Sequence, residues 1–480
     1  MDSLVVVQII YILLLIAVCL RIIWDTRSVS KTLAYLLLVI FIPILGIIFY
    51  FSFGINYRRH KIYNKKLEID QFFRNELETK IEILKKTHLE HPSLNENTEI
   101  IRFLSQTEQT FVAPNSSIEV LDNGENLFPI LLREMRNAKS HIHIEYYIYE
   151  NDIIGNQVKE VLIEKAREGV EVRFIYDDFG SRGIRKNIVK ELKENGVQVF
   201  PFHKINFIYF ANRINYRNHR KIVVIDGKTS FVGGINVSDK YINSGNNELY
   251  WRDTHLMIKG ITSLSLQMVF LSDWNFCSNE NITIQPAYFP TDFLDLPSDY
   301  YAQIAYSGPD SDLPTILYTT IQAIYSAKEE IILTTPYYVP DTSLQEALII
   351  ASLSGISVKL LLPKEGDSFL VNITSQSFLE ELLRAGVKIY LYKKGFVHSK
   401  TFVIDGKWAS VGTANLDARS FDLNFEVSAL IYHKETALRL RETFYKDLVD
   451  AEKLTLEKWE RRPKYKQLAE KVLRLTSPFM

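Results

Sequence analysis

Two stretches of the chain constrain its fold more than anything else in it. NHRKIVVIDG runs from Asn218 to Gly227, and VHSKTFVIDG runs from Val397 to Gly406. Each has a histidine, a lysine two residues on, an apolar β-branched run, and an aspartate before glycine (His219, Lys221, Asp226; His398, Lys400, Asp405). Each is followed by a glycine seven residues after the aspartate, Gly233 or Gly412, and an asparagine three later, Asn236 or Asn415. One H-x-K-x4-D pattern arises by chance about as readily as by function, since Asp-Gly after an apolar strand is an ordinary turn signal. Two copies in the same setting are not chance, so the chain is a duplication.

The setting itself is repeated. LLREMRNAKSHIHIEYYIY reads as helix then strand, followed by the helix VKEVLIEKAREG and the strand VEVRFIYDD. In the second copy TTIQAIYSAKEEIILTTPYYV and LQEALIIASLSGISVKLLLP keep that order. A third helix and strand (NIVKELKENGVQVFPF; SFLEELLRAGVKIYLY) lead into each motif. Helices alternating with β-rich runs predict an α/β fold. The expectation is two pseudo-symmetric halves, at 111–290 and 291–452, each a mixed, largely parallel sheet flanked by helices. Two such sheets would pack about a pseudo-twofold axis. Residues 61–110 read as a charged helical connector and 453–480 as an amphipathic tail, of a kind more often packed on the domain or solvated than functional.

The first sixty residues are a different material. Leu4–Ile23 is almost wholly apolar, and Leu33–Phe53 is a second run of spanning length containing Pro43 and Gly46. A signal peptide is disfavoured because the start, MDSL, lacks a basic region and no small-residue cleavage site follows. Two buried helices of a soluble core fit less well than an N-terminal two-helix transmembrane hairpin (about 4–23 and 33–53). The flank after the second run carries Arg58, Arg59, Lys61, Lys65 and Lys66, against Arg27, Lys31 and an opposing Asp25 in the connector. That bias predicts a multi-pass protein of the bacterial cell membrane with the rest of the chain in the cytoplasm, and a basic cluster suited to anionic headgroups. A formal net charge of −1 provides no field to attract nucleic acid, so no nucleic-acid partner is expected.

The motif chemistry suits phosphodiesters. Alternation along H-x-K puts His219 and Lys221 on one face of a strand, and His398 and Lys400 on the equivalent face of the other half. If the halves meet, one pocket holds two imidazoles and two ammonium groups. The lysines can neutralise a phosphodiester and the extra charge of its five-coordinate transition state. One histidine can attack phosphorus while the other protonates the leaving oxygen. Asn236 and Asn415 are candidate phosphate donors. No Cys/His metal spacing or carboxylate cluster lies nearby, so neither a catalytic metal nor a cofactor is expected.

These motifs resemble the phospholipase D superfamily. YRNHRKIVVIDGKTSFVGGINVSDKY, YWRDTHL, GTANLDARSFDLNFEVSALIY and the SPFM ending, with the two apolar runs, narrow the resemblance to bacterial cardiolipin synthases over essentially the whole chain. The superfamily's usual Gly-Ser is Gly233-Gly234 in one half and Gly412-Thr413 in the other, as in the synthase branch. The resemblance implies two phospholipase D-like halves and a reversible phosphatidyl transfer between two phosphatidylglycerol molecules. It yields cardiolipin and glycerol through a phosphatidyl-histidine, with lipid bilayer as the other partner. It implies His219 as nucleophile and His398 as general acid, then base, although the sequence is nearly symmetric. It also implies that Asp253 and Glu426 orient the histidines across the halves, with Asp226 and Asp405 completing the motif as scaffold more than as acid–base groups. Lys204–Arg217, mixing aromatic and basic residues, is either a covered loop or an interfacial segment guiding lipid. Hydrolysis by a membrane-anchored phospholipase D, a nuclease of the superfamily and a non-catalytic membrane scaffold are the rival readings.

Overall fold

The computed structural model describes residues 3–26, 29–53, 66, 92–107, 110–203, 216–243, 249–290 and 299–477. The segment 204–215 and most of the connector 61–110 lie outside them.

Half one contains β1 (Ala113–Asp122), β2 (His141–Tyr146), β3 (Glu171–Asp177), β4 (Gln198–Phe202), β5 (Arg217–Asn218), β6 (Ile222–Ile225), β7 (Thr229–Gly233), β8 (Tyr250–Arg252) and β9 (Thr254–Gly260). Half two contains β10 (Tyr300–Ser307), β11 (Glu330–Thr334), β12 (Tyr338–Val339), β13 (Ser357–Pro363), β14 (Lys388–Tyr392), β15 (Gly395–Val397), β16 (Thr401–Ile404), β17 (Trp408–Gly412), β18 (Leu416–Asp417), β19 (Asn424–Tyr432) and β20 (Ala451–Lys453). The repeated helices are found where the patterning predicts them, for example Ile153–Arg167 and Thr342–Leu353, each N-capped by an aspartate, Asp152 and Asp341.

Two expectations about the sheet change. Instead of two packed sheets there is one sixteen-stranded sheet, because β1 and β10 pair antiparallel at the centre and carry the ladder across both halves. Nor is each half largely parallel. Within the long ladder of each half β2–β3–β4 and β11–β13–β14 are parallel, while β6, β7, β9 and β1, and their counterparts, run antiparallel. The reason is local: the strands around each motif are joined by tight turns such as Asp226-Gly227, and short connections make antiparallel neighbours.

The halves also exchange short strands. β5 of half one pairs with β19 of half two, and β15 of half two pairs with β8 of half one. The helix Thr262–Ser278, buried along most of its length, helps fill a core that includes Ile222, Val224 and Leu256 from one half and Ala409, Val427 and Ala429 from the other.

The N-terminal region departs from a simple hairpin. α1 (Ser3–Asp25) is one helix, and its stretch Val5–Asp25 is long and apolar enough to cross a bilayer. The second apolar run is two helices, α2 (Val29–Phe41) and α3 (Pro43–Phe53), of 13 and 11 residues. At about 1.5 Å per residue neither reaches the ~30 Å of a hydrocarbon core. They fold back on one another: the Tyr35 and Tyr50 ring centroids are 5.4 Å apart, and a Cβ on Gly46 would stand 2.5 Å from the Leu38 carbonyl oxygen. Pro43, with no N–H to donate, ends α2, and Gly46 permits the close approach. Tyr50 donates to Asp25 at 3.2 Å, so the base of this fold-back lies at the C-terminal end of α1. Lys31, at the start of α2, ion-pairs with Asp422 of half two at 2.6 Å, so that end faces the α/β halves.

Lys66 corrects another expectation. It is buried, ion-paired with Asp273 at 3.2 Å and Asp310 at 3.1 Å, and donates to Ser272 at 2.7 Å, so it is no headgroup ligand. Arg58, Arg59, Lys61 and Lys65 lie outside the described residues. In the tail, the helix Lys464–Arg474 packs on the helix Phe369–Arg384, with Arg474 paired to Glu381 at 2.7 Å.

Candidate active site

The exchanged strands build the site. β5 pairs with β19, so the backbone N–H of His219 donates to the Phe425 carbonyl at 3.0 Å, which brings Glu426 beside the ring. The N–H of His398 donates to the Arg252 carbonyl at 2.7 Å, which brings Asp253 beside that ring. His219 Nδ1 is 3.0 Å from Glu426 Oε2 and 3.1 Å from the Thr413 carbonyl. His398 Nδ1 is 2.7 Å from Asp253 Oδ2. Each histidine therefore takes its carboxylate from the opposite half.

Those partners set the tautomers. A carbonyl and an ionised carboxylate only accept, so Nδ1 carries the proton on both rings and Nε2 keeps its lone pair. Burial lowers the His219 imidazole to about 4, with Glu426 opposing and Lys221 assisting. Burial, Lys400 and Lys221 hold His398 well below the ordinary imidazole range. Both rings are thus neutral near pH 7. Burial raises Asp253 to about 6 against the pull of Lys400. Burial acts the same way on Glu426, but His219, Lys221 and the Thr413 hydroxyl prevail and hold it below its ordinary value.

The lysines are buried behind the histidines. Lys221 Nζ donates to the His219 carbonyl at 2.6 Å, and Lys400 Nζ donates to that of His398. Burial lowers Lys221 to about 7 and Lys400 to about 8, with Glu426 and Asp253 respectively opposing most strongly. Each Nζ bonds a backbone carbonyl, which is neutral and carries no counter-charge.

Asp226 and Asp405 stand at the far ends of β6 and β16. Asp226 accepts the N–H groups of Lys139, Ser140 and His141 at 2.7–3.0 Å, and Asp405 accepts those of Lys328, Glu329 and Glu330 at 2.8–2.9 Å. Both have φ of 53° in the turn. Neither is among the residues lining the cavity beside the histidines, and their geometry is that of a latch between strands.

A cavity of about 750 Å³ opens on both histidines and is lined by Asn236, Asn415, Tyr147, Arg217, Trp251 and Tyr337 among others. Asn236 is anchored, its amide N–H donating to Tyr241 at 2.7 Å and its oxygen accepting from the Ile148 N–H at 3.1 Å. Asn415 Oδ1 has no hydrogen-bond partner among the described residues.

Sequence reasoning missed the coupling of the glycine pair to the carboxylates. A Cβ at Gly234 would stand 2.1 Å from Asp253 Oδ1, whereas Thr413, at the equivalent place, donates its hydroxyl to Glu426. Asp with Gly in one half and Glu with Thr in the other are matched choices. It also missed Arg220, between the catalytic-motif residues, whose guanidinium is buried and paired with Asp273, the partner of Lys66. The sequence signal for that network is slight, a basic residue between His219 and Lys221 just ahead of the apolar strand β6.

With this geometry in view, the comparisons with known proteins are informative. The family described as cardiolipin synthase, phospholipase D-like domain, matches residues 131–263 and 320–448, and the family described as phospholipase D–nuclease N-terminal matches residues 9–54. The chain is 40% identical over 461 residues to the major cardiolipin synthase of Bacillus subtilis (strain 168), covering 95% of each chain. It is also 40% identical over 460 residues to the cardiolipin synthase of Geobacillus kaustophilus (strain HTA426), covering 95% of this chain and 90% of that one. Among solved structures, the phosphatidylserine synthase of Haemophilus influenzae Rd KW20 shares the fold, with a TM-score of 0.61 at 15% identity over 80% of this chain and 100% of that one. The chain belongs to the cardiolipin synthase family, with two phospholipase D-like halves.

Proposed function

We propose that this protein is a membrane-bound phosphatidyltransferase that joins two phosphatidylglycerol molecules into cardiolipin and releases glycerol. The observation that carries the reading is the pair of neutral imidazoles, each with Nδ1 held by the opposite half's carboxylate and Nε2 left to the cavity. One Nε2 attacks the phosphorus of the first lipid, and the P–O bond to its glycerol breaks. The other imidazole, as imidazolium, gives that glycerol its proton, leaving a phosphatidyl-histidine. That second imidazole, now neutral, takes the proton from the terminal hydroxyl of another phosphatidylglycerol as its oxygen attacks phosphorus and the P–N bond breaks, returning its electron pair to the first imidazole. Both histidines return to their starting state, so the steps are balanced and reversible. Lys221 and Lys400, with Asn236 and Asn415, stabilise the charge on the phosphoryl oxygens. Glu426 and Asp253 stabilise whichever ring is cationic.

The proton that the general acid carries is taken up from solvent when the donor lipid binds. In the unliganded site burial, with the charges of Lys400 and Lys221 added to it, keeps His398 neutral. A phosphodiester anion between them offsets that charge and raises the histidine, so lipid binding itself loads the general acid.

On the membrane side, α1 crosses the bilayer, α2–α3 dips in and returns, and the two halves face the cytoplasm. Arg27 and Lys31 then share a side with the basic flank after Phe53, as the positive-inside bias requires. The deciding experiment is product analysis with purified chain in phosphatidylglycerol vesicles. Cardiolipin with equimolar glycerol is expected, and His219→Ala or His398→Ala abolishes it. Phosphatidic acid as the main product would refute transfer in favour of hydrolysis.

A further inference from the structure

The two ends of the cavity are built differently, although the halves are related by pseudo-symmetry. Two residues before His398 is Phe396, and the equivalent place before His219 is Arg217. Their strand partners correspond as well: Phe396 lies opposite Trp251, and Arg217 lies opposite Asn424. The His398 end is accordingly aromatic, with Phe396 4.9 Å from Trp251, and Trp251 5.1 Å from Tyr241. The fold is satisfied by an apolar side chain at this place, so it does not require an arginine.

Arg217 is nonetheless buried, at 3% exposure, and lines the cavity. Its guanidinium stacks on Phe179 at 4.5 Å, and among the described residues neither Nη1 nor Nη2 has a hydrogen-bond partner. The carboxylate that attracts it most, Asp177, already accepts the N–H groups of Phe179, Gly180 and Asn218. Arg419 lines the same cavity and adds to the positive potential there, and Lys240 lies over the Tyr241 and Trp251 rings toward the other end. A buried guanidinium with two unused donor groups is costly unless an anion completes it. A planar fork with both nitrogens free matches two oxygens of a phosphodiester.

Joining two phospholipids brings two phosphodiesters into the cavity, and only one of them is attacked. Lys221 and Lys400 are bonded to the carbonyls of the two histidines, so they serve the phosphate that the histidines attack. We propose that Arg217 is the seat of the second phosphate, holding the phosphodiester of the lipid whose hydroxyl accepts the phosphatidyl group. This rests on the transfer reaction proposed above, and it accounts for selection of a phosphorylated acceptor over water or free glycerol.

The test uses an acceptor that has the hydroxyl but no phosphate. Full-length chain in phosphatidylglycerol vesicles is assayed for cardiolipin formed and, in parallel, for labelled glycerol exchanged into phosphatidylglycerol. Arg217→Met, apolar like the residue in the other half, is expected to lower cardiolipin formation roughly 30-fold or more, the scale of a lost charge-assisted pair. Glycerol exchange should stay within about threefold, a change of less than about 1 kcal/mol. Arg217→Lys should recover part of the cardiolipin activity. Equal losses in both reactions would overturn the proposal, placing Arg217 on the donor phosphate or in the fold, and no loss in either would overturn it too. Wild-type chain that exchanges glycerol but makes no cardiolipin would refute the proposed reaction instead, and does so independently of the variant.

Discussion

At each motif histidine the same division recurs: Nδ1 is held and Nε2 is offered. The holding group is what a substitution can remove without emptying the pocket. Glu426→Gln presents either an amide N–H or a carbonyl in place of a pure acceptor, and it cannot stabilise an imidazolium. We expect kcat for cardiolipin formation to fall at least ~100-fold with little change in KM, and Asp253→Asn to do the same at His398. Steady-state kinetics on vesicles checks both, and a rise in KM alone would refute the orienting role. Gly234→Ala should be nearly as damaging, since its Cβ would meet Asp253 Oδ1 at 2.1 Å and push the carboxylate off His398. Thr413→Ala should cost less, because Glu426 keeps its bond to His219. The lysines give a pH signature. Burial lowers Lys221 to about 7 and Lys400 to about 8, and both must be charged to receive phosphate. Hence kcat/KM should fall as pH rises through about 7 to 8, with the free-enzyme values governing this limb. Lys221→Arg, which stays charged, should move that limb to higher pH while lowering the maximum. A limb left in place by this variant would assign it to another group.

Among the elements, the N-terminal helices are where length and packing disagree with a simple reading of hydropathy. Leu33–Phe53 is long enough to span, yet it folds as two short helices with Tyr35 against Tyr50. Breaking at Pro43 costs the run its continuous ladder, and contact with the C-terminal half of α1 through Val18, Ile22 and Val39 compensates. A labelling experiment separates the topologies. In a chain with Cys19 and Cys277 replaced by alanine, Thr26→Cys should react with a membrane-impermeant maleimide only after cells are permeabilised. Val5→Cys should lie toward the opposite face. Labelling of Thr26→Cys in intact cells would restore the two-span hairpin. The tail helix Lys464–Arg474 packs on its neighbour, as amphipathic spacing commonly does, but Tyr465, Leu468 and Val472 remain exposed.

For the whole molecule, the consequence of exchange is that neither half holds a complete histidine site. A fragment ending at residue 290 has His219 and Asp253 but neither His398 nor Glu426. Each fragment alone should be inactive. Co-expression of the two, cut between residues 290 and 299, should restore transfer, because β1–β10 and the exchanged strands hold the halves together. Assaying cardiolipin in membranes carrying one or both fragments checks this. Activity from a single fragment would mean that the crossed pairs are dispensable.

Much of this was legible in the sequence. Alternation and helix period are properties of neighbouring residues, so the repeated elements, both motifs and the apolar N-terminus could be read from local pattern. The turn role of Asp226 and Asp405 followed from Asp-Gly chemistry in the same way, and the family resemblance supplied Asp253 and Glu426. What only the tertiary structure decided depends on pairs distant in the chain. The central β1–β10 ladder makes one sheet of two halves, because an unpaired strand edge on each half is satisfied by the other. Tyr35 against Tyr50 folds α3 back on α2. Asp273 draws Lys66 away from the bilayer into a buried pair with Arg220 beside it. Arg217 reads as one more basic residue in an aromatic stretch until the fold buries it with its donors open, and no local pattern can reveal which cations are left without a counter-charge.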